Sequence, residues 1–373
     1  MKYTHEFVNN AALICLLPLF TLAGALAAQT PSFARVGLQA GTSLKSVHLA
    51  DFNGDGKLDI AAVTESDGVA VLLQTASGGY AAPVISPTAG LGSWGMAVGD
   101  FNHDGKLDVA VTNNLGNNVS ILLGNGDGTF RIAACYSADL SPTAIVAADF
   151  NHDGHLDLAV VNGGSGDVTI LLGKGDGTFR AGQSLFLGSS PTGAVSGDFN
   201  GDGIPDLAVT NGAMYSQVVA ILLGNGDGTF RLAQSATVGI EPFSVAAGHF
   251  SEDGKTDLAV ANLASNDVSV MTGNGDGTFQ SGATYAAGDG PSGIAVGDFN
   301  LDGKLDLAVC GDVSGEVSVY LGNGDGTFQP ARNFATGGYP TSIAVGDLYR
   351  SDRADIVTAG PEGIVVLRNT TRR

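Results

Sequence analysis

The 373 residues hold three cysteines, four methionines and a single tryptophan. So few cysteines exclude a scaffold held by disulfides. Cys15 falls in an N-terminal apolar run, and Cys135 and Cys310 occupy unrelated repeat positions, which predicts two buried, unpaired thiols in the folded part. Positive charge is also scarce, with 17 Lys and Arg against 37 Asp and Glu and a net charge of −20. A field of that sign opposes binding to nucleic acid or to an anionic membrane surface. Beyond residue 28 no run is long and apolar enough for a membrane span, and no window has the length and period of a helix. The only histidines beyond that point are His48, His103, His152, His155 and His249, and no nucleophile motif or carboxylate pair stands apart from the repeats. These absences argue against an enzyme.

The first 28 residues read as a secretory signal peptide. An apolar run over residues 11–25 is too short to cross a bilayer comfortably, and Ala25-Leu26-Ala27 supplies the small-x-small cleavage pattern. The expected destination is extracellular or the cell surface, with the periplasm as a further option. Residues 29–373 then form one unit without a membrane span, expected to be a monomer.

That unit is written seven times. The anchors Asp51, Asp100, Asp149, Asp198, His249, Asp298 and Asp347 are spaced by 49, 49, 49, 51, 49 and 49 residues. The repeat anchored at Asp149 carries a small-residue apolar run, an Asp-rich loop, a β-branched run, a bulkier third run, a G-x-G-D-G-T-F turn and a variable fourth stretch. Four short strands per repeat of this length are the blade of a β-propeller. The expected fold is all-β, a seven-bladed β-propeller of four-stranded antiparallel blades. Residues 33–41 align with a fourth strand and residues 363–368 with a third, so the N-terminal strand should complete the last blade and close the ring.

Five repeats carry D-x-N-x-D-G-x-x-D in full. The expected ligands are Asp51, Asn53, Asp55, Lys57 and Asp59; Asp100, Asn102, Asp104, Lys106 and Asp108; Asp149, Asn151, Asp153, His155 and Asp157; Asp198, Asn200, Asp202, Ile204 and Asp206; and Asp298, Asn300, Asp302, Lys304 and Asp306. In each set the fourth residue offers only its backbone carbonyl. A hard cation such as Ca²⁺ takes six to eight oxygens, and the glycine at loop position 6 lets the chain wrap tightly enough for them to converge. An EF-hand is excluded, because position 12 is Ala or Val and strands flank the loop. About five calcium ions are expected. The loops at residues 249–257 and 347–355 are degraded, and weak binding or none is expected there. Loop ligand positions account for 19 of the 37 acidic residues, a crowding that bound cations would relieve.

The pattern D-F-N-x-D-G-x-x-D-L-A-V followed by L-L-G-N-G-D-G-T-F, as at residues 298–328, resembles the FG-GAP or VCBS repeat family, which includes the N-terminal propeller of integrin α subunits. The resemblance covers nearly all of residues 29–373. It implies calcium bound between the first two strands of a blade, at the five complete loops only. The integrin-like Gly-Ala-Pro element is absent, so partner binding by integrin rules is not carried over.

Function is then expected to lie in surface loops on the face opposite the calcium. Trp94, Tyr215, Phe243 and Tyr339 are the candidate ligand-binding aromatics there. The expected role is a non-catalytic binding or adhesion module for a glycan or an extracellular protein. The alternatives are a polysaccharide lyase or hydrolase on a propeller scaffold, and a scaffold subunit of a surface complex.

Overall fold

A computed structural model of the protein describes residues 29–372 except residue 67. The signal-peptide segment and Cys15 lie outside the described residues. Twenty-eight strands, numbered in chain order, form seven four-stranded antiparallel sheets, and no helix occurs among the described residues.

The third blade shows the plan. It consists of β10 (Pro142–Ala148), β11 (Asp157–Asn162), β12 (Asp167–Gly173) and β13 (Phe179–Phe186), hydrogen-bonded in that order. All six residues of β11 are buried. Both faces of that strand pack on neighbouring blades, which explains its unbroken apolar run where a one-sided sheet would alternate. The outermost strand β13 is mostly exposed and correspondingly polar. The innermost strands carry Ala, Gly and Val next to the axis, where the blades crowd together.

One aromatic contact recurs between successive blades. The Phe at the second loop position meets the Phe that ends the G-D-G-T-F turn of the next blade. Phe101–Phe179, Phe150–Phe230, Phe199–Phe279 and Phe250–Phe328 lie edge to face, with centroids 5.2–5.6 Å apart. Beside it, the amide of Gly177 donates to the Phe101 carbonyl across the blade boundary at 2.9 Å. Gly177 has a φ of +79°, in the left-handed region that favours glycine.

The ring closes as the sequence implies. β1 (Phe33–Leu38) pairs antiparallel with β28 (Gly363–Asn369), which continues to β27 (Asp355–Gly360) and β26 (Ser342–Gly346). Phe33 takes the place of the turn Phe in this last blade, with its ring 6.0 Å from Phe299 of the sixth. No sheet edge is left open where the ends meet.

One expectation fails. Cys310 is buried, but Cys135 is exposed, and both are free. Cys135 stands on the outermost strand of the second blade, whose side chains largely face solvent.

Candidate metal loops and channel mouth

All seven Asp-rich loops join the first strand of a blade to the second, and so emerge on one face of the ring. Their geometry repeats. In the first loop the Asp51 carboxylate accepts the amides of Asp55 at 3.1 Å and Gly56 at 2.6 Å. Asn53 Oδ1 accepts the Asp55 amide at 2.9 Å, and Asp55 Oδ1 accepts the Lys57 amide at 3.0 Å. Asp100, Asn102, Asp104 and Lys106 repeat this network, as do Asp149, Asn151, Asp153 and His155. In the fourth and sixth loops Asp198 and Asp298 also accept an amide three residues on, from Gly201 and Leu301. Asn200 and Asn300 there hand their side-chain amides to Asp202 and Asp302. Ile204 and Lys304 receive the same position-5 contact on their own amides.

The ninth residue has a role that its motif position did not reveal. Asp59, Asp108, Asp157, Asp206 and Asp306 are fully buried. Each carboxylate accepts two backbone amides, one from the loop Phe and one from the end of the third strand or just past it. For Asp157 these are Phe150 at 3.0 Å and Gly173 at 2.7 Å. Asp257 and Asp355 do the same in the degraded loops. The residue is therefore a structural brace in all seven blades, and each of its oxygens keeps a second acceptor direction.

Burial raises the carboxyls of Asp59, Asp108, Asp157 and Asp206 to about 6 and that of Asp306 to about 8, while the two other Asp of each loop push in the same direction. Positions 1, 5 and 9 are thus close enough to repel one another. Among the described residues no three His, Cys, Asp or Glu side chains already stand as a closed cage. The donor set, all carboxylate, amide and carbonyl oxygen with mutual repulsion, fits a hard divalent cation. When bound, such an ion would neutralise the loop and tie its oxygens together.

The opposite face opens on the axial channel, where a cavity of about 430 Å³ lies between the innermost strands. One register position per blade faces this mouth: Lys45, Trp94, Thr143, Thr192, Phe243, Ser292 and Thr341. Four of these are hydroxyl residues that bond across to the next blade. Thr143 donates to Pro191 O, Thr192 to Pro242 O, Ser292 to Pro340 O and Thr341 to Leu44 O, at 3.1–3.3 Å. The other three depart from that pattern with large side chains. The Lys45 ammonium sits 4.6 Å from the centre of the Trp94 ring and 3.1 Å from the Glu65 carboxylate. Trp94 and Phe243 line the same cavity from different blades. Tyr215 and Tyr339 do not join it. Tyr215 is 78 % exposed in the two-residue insertion of the fourth repeat, and Tyr339 lines a separate, smaller cavity beside Arg35 and Glu362. Lys45 escaped the sequence reading, although it stands where other repeats carry Thr or Ser.

The sequence profile described as FG-GAP-like repeat matches residues 51–111, 100–160, 153–209, 198–260, 249–309 and 298–358, each match running from one loop into the next. The chain belongs to the FG-GAP-like repeat family. Among curated proteins none matches significantly. Solved structures share the fold of this FG-GAP propeller at low identity. The crystal structure of BBS1N in complex with ARL6DN aligns with a TM-score of 0.64 at 14 % identity, over 92 % of this chain and 97 % of that one. A periplasmic gluconolactonase of Pseudomonas aeruginosa gives 0.60 at 18 %, over 82 % and 88 %. A functionally unknown protein of Desulfotomaculum acetoxidans gives 0.58 at 13 %, over 88 % and 90 %.

The degraded FG-GAP loops differ in physical terms. His249 replaces the first Asp, and its Nδ1 lies 2.8 Å from the Lys255 carbonyl, the group that position 7 would present to a cation. In the seventh loop Tyr349 replaces the Asn, and the Arg368 guanidinium lies over its ring at 4.2 Å.

Proposed function

We propose that this protein is a secreted, calcium-binding FG-GAP propeller that acts as a non-catalytic binding module. Calcium at the five complete loops stiffens the ring, and the channel mouth on the other face receives a glycan or a segment of an extracellular protein. The export reading rests on the N-terminal apolar run and its small-x-small ending. The binding reading is carried by the break in the mouth ring, where three blades give up the hydroxyl contact for Lys45, Trp94 and Phe243. An aromatic face beside a cation and a carboxylate offers stacking together with directional polar contacts. BBS1N, which shares the fold, was solved bound to a protein partner.

Trp94 is the only tryptophan, so its fluorescence reports on the mouth directly. A glycan array on the calcium-loaded protein, followed by titration of each hit against this signal, tests the proposal. Trp94→Ala and Phe243→Ala should each weaken binding by about tenfold or more. Binding that ignores both substitutions would refute the mouth as the site. Release of new reducing ends from a bound polysaccharide would favour the enzymatic alternative.

A further inference from the structure

We propose that His103 and His155 form a second kind of cation site, for a borderline transition-metal ion such as Zn²⁺ or Cu²⁺, that staples the second blade to the third. His103 lies in the loop at residues 100–108 and His155 in the loop at 149–157. Their rings share a hydrogen bond, with Nε2 of His103 2.9 Å from Nδ1 of His155; His103 is exposed and His155 half-buried. The ring planes are inclined at 57° with centroids 5.0 Å apart, so the rings meet through their nitrogens rather than stacking. An ion with Zn–N bonds of about 2.0–2.1 Å in tetrahedral geometry holds two nitrogens about 3.3 Å apart. Opening the observed contact by less than ~0.5 Å would admit it.

Two further observations support the pair, and glycine fits the backbone at His103. His103 has a φ of +56°, a conformation that favours glycine, and the first and fourth loops place Gly54 and Gly201 at the same position. His152, Glu252, Leu301 and Arg350 adopt the same left-handed backbone in the other loops, so the position accepts a side chain or glycine. Gly175, in the turn of the third blade, lies against the rings: a Cβ there would fall 2.4 Å from His155 ring atoms. The surroundings are acidic, with the carboxylates of both loops favouring any cation. Imidazole nitrogen selects Zn²⁺, Cu²⁺ or Ni²⁺ over Ca²⁺, which prefers oxygen. Among the described residues no third His, Cys, Asp or Glu completes the set, so water would fill the remaining positions. The site is distinct from the calcium loop, to which His155 would lend only its carbonyl.

The test uses the full calcium-saturated chain, with ZnCl₂ in calorimetry and melting experiments and Cu²⁺ in electron paramagnetic resonance. One Zn²⁺ per chain should bind and raise the melting temperature, and Cu²⁺ should show coupling to two nitrogens. His103→Gly and His155→Gln should each weaken Zn²⁺ binding by about tenfold or more and leave one coupled nitrogen. His103→Gly also relieves the left-handed backbone, so in the absence of Zn²⁺ it should be at least as stable as the parent. Parent-like Zn²⁺ affinity in either variant, or no two-nitrogen signal in the parent, would overturn the proposal.

Discussion

The Asp257 carboxylate receives the Gly273 amide at 2.9 Å in a blade whose loop begins with His249 in place of aspartate. The same brace is present whether a loop is complete or degraded, so its purpose is separable from metal. Asp257→Asn would set an amide group against backbone N–H donors that now share a carboxylate. A loss of about 1–3 kcal/mol in urea unfolding is expected, equal with calcium and with chelator. Asp157→Asn should cost a similar amount in chelator and more in calcium. Equal losses for Asp157→Asn in both conditions would remove the ninth residue from the cation's ligands.

Phe33 packs at the closure of the ring. Its ring packs 4.9 Å from Phe334 and 6.0 Å from Phe299, so it ties the N-terminal strand to the sixth blade. Phe33 is only half buried, and Phe33→Ala should cost about 1–3 kcal/mol, below the range for a fully buried Phe. Thermal melting measures it. An unchanged midpoint would show that the strand pairing alone holds the ends together.

His48 makes the channel wall sensitive to acid. Burial lowers its pKa from 6.5 to about 3, against a smaller opposing effect from the Met96 backbone. The unfolded chain therefore binds a proton that the folded one refuses. The sign follows from that: the contribution is intact above pH 6.5, declines as the pH falls, and is lost by about pH 3. In urea titrations the parent should lose more stability than His48→Gln between pH 6.5 and pH 4. Parallel curves would mean that the folded protein accommodates the protonated ring.

Much of this architecture is legible in the residues alone. A fixed repeat with four apolar runs implies blades, and a spare fourth strand at one end with a missing one at the other implies closure. What escaped depends on relationships between blades. Lys45 looks ordinary until the ring places it over Trp94. His103 and His155 are 52 residues apart, and only the blade register brings them together. The motif position of Asp157 suggests a ligand, but the buried amides of Phe150 and Gly173 that it satisfies belong to segments a linear pattern does not connect. Cys135 departs from the usual burial of cysteine because the outermost strand of a blade leaves its side chains in solvent. Tyr215 and Tyr339 share a face with Trp94 and Phe243, but the wide ring holds them apart from the mouth.

Calcium is the central claim. With a Kd near ~0.1 mM and ~1 mM calcium, each loop would contribute about 1.4 kcal/mol, and five together roughly 7 kcal/mol in an idealised sum. That rivals a typical folding free energy of about 5–15 kcal/mol. Calcium titrated calorimetrically into chelator-stripped protein, with a melt at each point, reads stoichiometry and stabilisation together. About five ions per chain and a melting temperature that rises by many degrees are expected. No calcium uptake, or the same melting temperature in excess EDTA, would contradict the account.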